Sequence, residues 1–182
     1  FDGCSSLESI TIGNSVTTIG DYAFRGCTSL TSITIPESVT TIGESAFLGC
    51  KVLANVTIGD SVTTIGENAF ENTGVKSVVI PNGVTSIGNK AFYFCFHLTD
   101  LVIPSSVKTL GEEAFNSCYG FTDITLPNGI ESIGAWAFCE CNNLKKVDIA
   151  NSVTSIGTSS FENCSALKKI TLPSELISIS DM

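Results

Sequence analysis

Leu30-Thr-Ser-Ile-Thr-Ile-Pro-Glu-Ser-Val-Thr-Thr-Ile-Gly-Glu-Ser-Ala-Phe47 is one copy of a motif that fills the chain. Aligned on their phenylalanines, the copies fall at Phe1, Phe24, Phe47, Phe70, Phe92, Phe115, Phe138 and Phe161, a period of 23 residues with one step of 22. Three residues later comes Cys4, Cys27, Cys50, Thr73, Cys95, Cys118, Cys141 or Cys164. A corner residue follows: Leu7, Leu30, Leu53, Val75, Leu98, Phe121, Leu144 or Leu167. Next is an alternating run such as Ile33-Thr34-Ile35, then a turn residue that is often proline, then a second run such as Val39-Thr40-Thr41-Ile42. A glycine closes each copy from Gly20 to Gly157.

A fixed period of this length is the signature of a solenoid. One unit cannot bury its apolar side alone, whereas stacked units share a continuous core and touch only their neighbours. Period-2 alternation of β-branched residues predicts short strands. Proline cannot donate a ladder hydrogen bond, so Pro36, Pro81, Pro104, Pro127 and Pro173 mark where the first strand of a copy ends. The closing glycine suits either a positive φ or a close approach of backbones. Asp21, Glu44, Glu67, Asn89 and Glu112 follow it, two residues before an Ala-Phe pair. That order predicts one turn of α- or 3-10 helix with an acidic N-terminus.

The pattern Leu-x-x-Ile-x-Ile-Pro-x-x-Val-x-x-Ile-Gly-x-x-Ala-Phe-x-x-Cys resembles the BspA-type leucine-rich repeat across essentially the whole chain. The resemblance implies a leucine-rich-repeat solenoid, a right-handed superhelix with parallel short strands and one short helical turn per repeat. It implies a single unit over residues 1–182 with about seven repeats. It also implies a cell-surface or secreted setting and adhesion to protein or glycan on a host or neighbouring cell. The family offers no catalytic residues to carry over, so the expectation is a binding module and not an enzyme. The alternative is a spacer that displays another domain and binds nothing itself.

Composition sets further bounds. Nine Lys and Arg against 18 Asp and Glu give a net charge of −9, which argues against nucleic acid as a general partner. No apolar run is long enough to span a bilayer. Solenoids carry polar capping repeats at their ends, and none is evident here. The chain is therefore expected to be a piece of a longer protein, with end-to-end association possible through uncapped repeats. Seven of eight cysteines share one repeat position. Stacking would run their Cβ vectors parallel, which is poor geometry for a disulfide, so they are expected to be buried free thiols. The eighth, Cys139, stands apart. A single histidine and no paired Cys-x-x-Cys predict neither metal nor cofactor.

Candidate contact residues lie where the repeat is irregular. Tyr93, Phe94, Phe96 and His97 replace small or polar residues, and Tyr119 and Trp136 follow in the next two copies. An exposed aromatic patch would be a contact surface. Lys145, Lys146, Lys168 and Lys169 recur at matching positions of successive copies and form a local basic spot.

Overall fold

The computed structural model describes residues 1–180, in which successive copies of the motif form stacked coils. The strands, in chain order, are β1 (Thr18–Ile19), β2 (Ser32–Ile35), β3 (Thr41–Ile42), β4 (Asn55–Ile58), β5 (Thr64–Ile65), β6 (Ser77–Val79), β7 (Ser86–Ile87), β8 (Asp100–Val102), β9 (Thr109–Leu110), β10 (Asp123–Leu126), β11 (Ser132–Ile133), β12 (Lys146–Ile149), β13 (Ser155–Ile156), β14 (Lys169–Thr171) and β15 (Ser178–Ile179). All pairing is parallel and couples each strand to its equivalent one repeat away, as in Thr41 with Thr64 and Ile33 with Val56. The odd-numbered strands make one continuous eight-stranded sheet. The longer, even-numbered strands make two sheets, β2-β4-β6-β8 and β10-β12-β14.

Alternation decides which side chains enter the core. In β2 and β10 every second residue is buried, so Ile33, Ile35, Ile124 and Leu126 point inward while Ser32, Thr34, Asp123 and Thr125 face out. The phenylalanines form a ladder through the middle. Consecutive rings from Phe1 to Phe161 stack at centroid distances between 5.2 and 5.5 Å. Near-parallel rings at this spacing are offset-stacked, the favourable arrangement for the aromatic quadrupole. Phe47, Phe70, Phe92, Phe115 and Phe138 are fully buried.

The cysteines form a second ladder beside the rings, and all eight are free thiols. Cys50 Sγ donates to the Phe24 carbonyl of the preceding coil at 3.1 Å, and Cys118 Sγ donates to Phe92 O at 3.2 Å. Thr73 fills the same position with a hydroxyl, which donates to the carbonyl of Phe70 in its own coil at 2.9 Å. Burial pushes the Cys50 and Cys95 thiols up to about 12. These groups serve as neutral core side chains with a weak donor.

The segment after each glycine corrects the expected helical turn. Ala23 N–H donates to Gly20 O, Arg25 N–H to Tyr22 O and Cys27 N–H to Phe24 O, each three residues back. The intervening N–H groups of Tyr22, Phe24 and Gly26 donate instead to Glu44, Ala46 and Leu48 carbonyls of the next coil, all at 2.8 Å. A single helical turn leaves most of its amides unpaired. Stacked coils offer carbonyls at strand spacing, so a run of β-turns satisfies more groups. This demands positive φ at non-glycine residues such as Tyr22 (58°), Lys90 (54°), Glu113 (54°) and Trp136 (53°). The acidic row caps no helix. Asp21 Oδ1 accepts from the Glu44 amide of the next coil at 2.8 Å, and Asn89 Oδ1 accepts from the Glu112 amide at 3.0 Å.

From Gly43 onward the closing glycines are required by contact and not by φ. A Cβ on Gly134 would lie 2.6 Å from the carbonyl carbon of Gly111, and one on Gly66 would lie 2.7 Å from that of Gly43. The coils touch backbone to backbone at this column.

One irregularity interrupts the stack. Among the described residues, no bridge joins β8 to β10, although β9 and β11 of the same coils remain paired. Phe121 occupies the corner here in place of leucine, fully buried and edge-on to Phe115 with centroids 6.1 Å apart.

Candidate functional surface

The turn run and the corner carry the irregular residues outward. Along the turn run Ala91, Phe92 and Cys95 enter the core, Tyr93 and Phe94 lie half-buried on the outside, and Phe96 and His97 are exposed at the corner. The rings pack in sequence. Tyr93 and Phe94 have centroids 4.1 Å apart, Phe94 and Phe96 5.3 Å, and Phe96 stacks on Tyr119 of the next coil at 5.2 Å. Phe96 and Tyr119 occupy the same repeat position, four residues after Phe92 and Phe115. Stacking therefore follows from the coil spacing, as it does for the inner ladder. Packing does not hide them: Phe96 remains 40% exposed and Tyr119 37%.

A polar network borders the rings. Lys90 Nζ lies 3.4 Å from Glu113 Oε1 and 5.8 Å from the centre of the Tyr93 ring. The Asn116 amide donates to Glu113 Oε2 at 3.3 Å, and the Ser117 hydroxyl donates to Asn116 Oδ1 at 2.8 Å. The Asn163 amide donates to Glu140 Oε1 at 2.6 Å. Glu113 holds the Lys90 ammonium above its ordinary pKa, and burial raises the Tyr93 phenol and the Glu71 carboxyl. Asn116 and Ser117 are buried beneath this network, and the sequence pattern did not single them out. Their signal was faint: a polar pair in a copy where the outside of the turn run is otherwise aromatic or acidic.

Trp136 is exposed, but it sits on the column of positive-φ residues with Lys90 and Glu113, outside the stacked ring series. His97 lies exposed beside Phe96. Cys139 is buried, and burial pushes its thiol up to about 11, away from a reactive thiolate. Among the described residues, no group of three or more His, Cys, Asp or Glu is placed to hold a metal ion, and no helix is long and apolar enough to cross a membrane.

The lysines follow the corner residues Leu144 and Leu167, in the two coils after that of Tyr119. β12 and β14 pair Lys146 with Lys169 in register, and the Lys168 amide donates to Lys145 O at 3.2 Å. All four side chains are exposed. Lys146 donates to Asp148 Oδ2, and this partner raises its pKa.

The sequence matches the BspA type leucine rich repeat region, in six copies, over residues 1–121 and 85–182. Among solved structures, a leucine-rich repeat protein from Bacteroides ovatus is 32% identical with a TM-score of 0.71, over 90% of this chain and 49% of that one. The T. pallidum leucine-rich repeat protein is 33% identical with a TM-score of 0.79, over 84% of this chain and 72% of that one. The pneumococcal vaccine antigen PcpA shares the fold at 20% identity and a TM-score of 0.54, over 93% of this chain and 60% of that one. The chain thus spans about half the length of the B. ovatus protein. No curated protein matches it.

Proposed function

The chain belongs to the BspA-type leucine-rich repeat family, and from that membership we propose that it is a non-enzymatic binding module of a cell-surface or secreted protein, acting in adhesion. Leucine-rich repeat solenoids are in general interaction modules and not catalysts, because stacked coils offer a long continuous surface in place of a convergent pocket. The observation that carries the proposal is the packed ring series Tyr93, Phe94, Phe96 and Tyr119, in which Phe96 and Tyr119 are stacked and exposed. Regular copies place Arg25, Gly26 and Thr28, or Leu48, Gly49 and Lys51, at these positions. Aromatic groups that are rigid yet exposed supply contact area at low entropic cost, and such groups dominate binding energy at protein interfaces. The carboxylates of Glu113 and Glu140 at the margin favour a partner that brings basic side chains to the rim.

The test is binding of the purified chain to immobilised extracellular-matrix proteins, beside the triple variant Phe96→Ser, Tyr119→Ser and Tyr93→Ser. The reading expects saturable binding that weakens at least about tenfold in a variant whose circular dichroism is unchanged. A folded chain that binds none of them would instead act as a spacer. The regular Ser and Thr ranks on the eight-stranded sheet suit that role.

A further inference from the structure

We propose that the corner formed by Lys145, Lys146, Lys168 and Lys169 binds a linear sulfated polysaccharide. This site is separate from the aromatic surface and does not rest on it. Four of the nine basic residues of the chain fall within two coils of a molecule with net charge −9. The register of β12 and β14 sets Lys146 directly beside Lys169, and the amide contact between Lys168 and Lys145 sets the second pair alongside. Like charges opposed across strands cost stability. Earlier copies avoid that cost with Ser32, Asn55 and Ser77 at the position of Lys146. An anionic ligand removes it.

The charges are not all neutralised internally. Lys146 pairs with Asp148 and stands in register with Asp123 of β10. Lys145, Lys168 and Lys169 make no ion pair among the described residues. Strand spacing of ~4.8 Å sets Lys168 and Lys169 one step along the solenoid from Lys145 and Lys146, so the four residues make a compact block. A short stretch of a linear polyanion, with several sulfates on one or two successive sugar units, can engage such a block without reaching the neighbouring carboxylates. Exposed hydroxyls of Thr122, Thr125 and Thr171 flank it and suit a hydroxylated chain.

The surroundings disfavour other polyanions. Asp100, Asp123 and Asp148 project from the same strand faces, so a continuous duplex backbone would meet carboxylates one or two coils away. A folded acidic protein would need an apolar interface core, whereas the exposed residues beside the lysines on β10 and β12, Asp123, Thr125 and Asp148, are polar.

The experiment measures retention on immobilised heparin at about physiological ionic strength, with unsulfated dextran as the blank. The variant K145Q/K168Q/K169Q should lose affinity by at least about tenfold, with a flatter dependence on salt. The control K51Q/K76Q/K108Q, with the same change of net charge, should lose less than about threefold. The aromatic triple variant should bind heparin normally, which separates failure of this site from failure of the adhesion surface. Absence of heparin binding by the unmodified chain, or equal loss in both lysine variants, would overturn the proposal. Duplex DNA competing as well as heparin would also overturn it, in favour of a nucleic-acid partner.

Discussion

At the scale of single residues, the core is two ladders with different chemistry. Each inner phenylalanine touches a ring above and below, so Phe115→Ala removes two stacking contacts and leaves a cavity walled by Phe92, Phe138 and Phe121. We expect a loss of about 3–5 kcal/mol in urea unfolding. A loss below about 1 kcal/mol would mean the ladder is not the core. The thiols predict a pH dependence. Burial raises Cys50 and Cys95 from 9.0 to about 12 in the folded chain, while the unfolded thiols ionise near 9. Their stabilising contribution is complete below about pH 9 and is lost as pH climbs toward about 12. The urea midpoint should therefore fall between about pH 8 and about pH 10.5, and fall less in a Cys50→Thr, Cys95→Thr variant. Thr73 shows that the position accepts a hydroxyl. An identical fall in the variant would place the alkaline sensitivity elsewhere.

At the scale of elements, sequence was a good guide to strands and a poor one to the turn run. Ile33-Thr34-Ile35 announces its inward and outward faces by alternation alone, and β2 buries the expected residues. Nothing in the letters of Tyr22, Glu113 or Trp136 announces a positive φ. That conformation is imposed by amides reaching the next coil, a contact between residues 22 apart, or 21 across the shorter coil. The glycine column was visible, but its cause was not, because a steric limit from a neighbouring backbone leaves the same mark as a φ requirement. The candidate rings were legible as irregular aromatics. Their stacking across coils was not, since it depends on the coil spacing and on which side each residue faces. The gap between β8 and β10 was also hidden. Two features meet there, the bulky Phe121 corner and the matched carboxylates Asp100 and Asp123. Like charge alone does not open this ladder, because Lys146 and Lys169 pair in register. Phe121→Leu should therefore close the gap and slow hydrogen exchange at the Thr122 and Asp123 amides. Unchanged exchange there, with slowing in Asp123→Asn instead, would assign the gap to charge.

At the scale of the whole molecule, the solenoid separates what holds it together from what it presents. The ladders are nearly uniform from Phe24 to Phe138, so the binding proposed above is assigned to coils that differ on the outside. Those are the coils of Phe92 and Phe115, which carry the stacked rings, and the two that follow, which carry the lysines. A repeat protein tolerates changes at such positions because each coil depends only on its neighbours. Surface variants should accordingly keep the thermal midpoint within a few degrees. The measurement that tests the account most directly is saturation binding to an immobilised panel of matrix proteins by the unmodified chain and by the ring variant Tyr93→Ser, Phe96→Ser, Tyr119→Ser. The account predicts saturable binding by the first and at least about a tenfold weakening in the second, with the fold intact. Binding of equal strength by both would contradict it, because the exposed rings would then play no part in recognition.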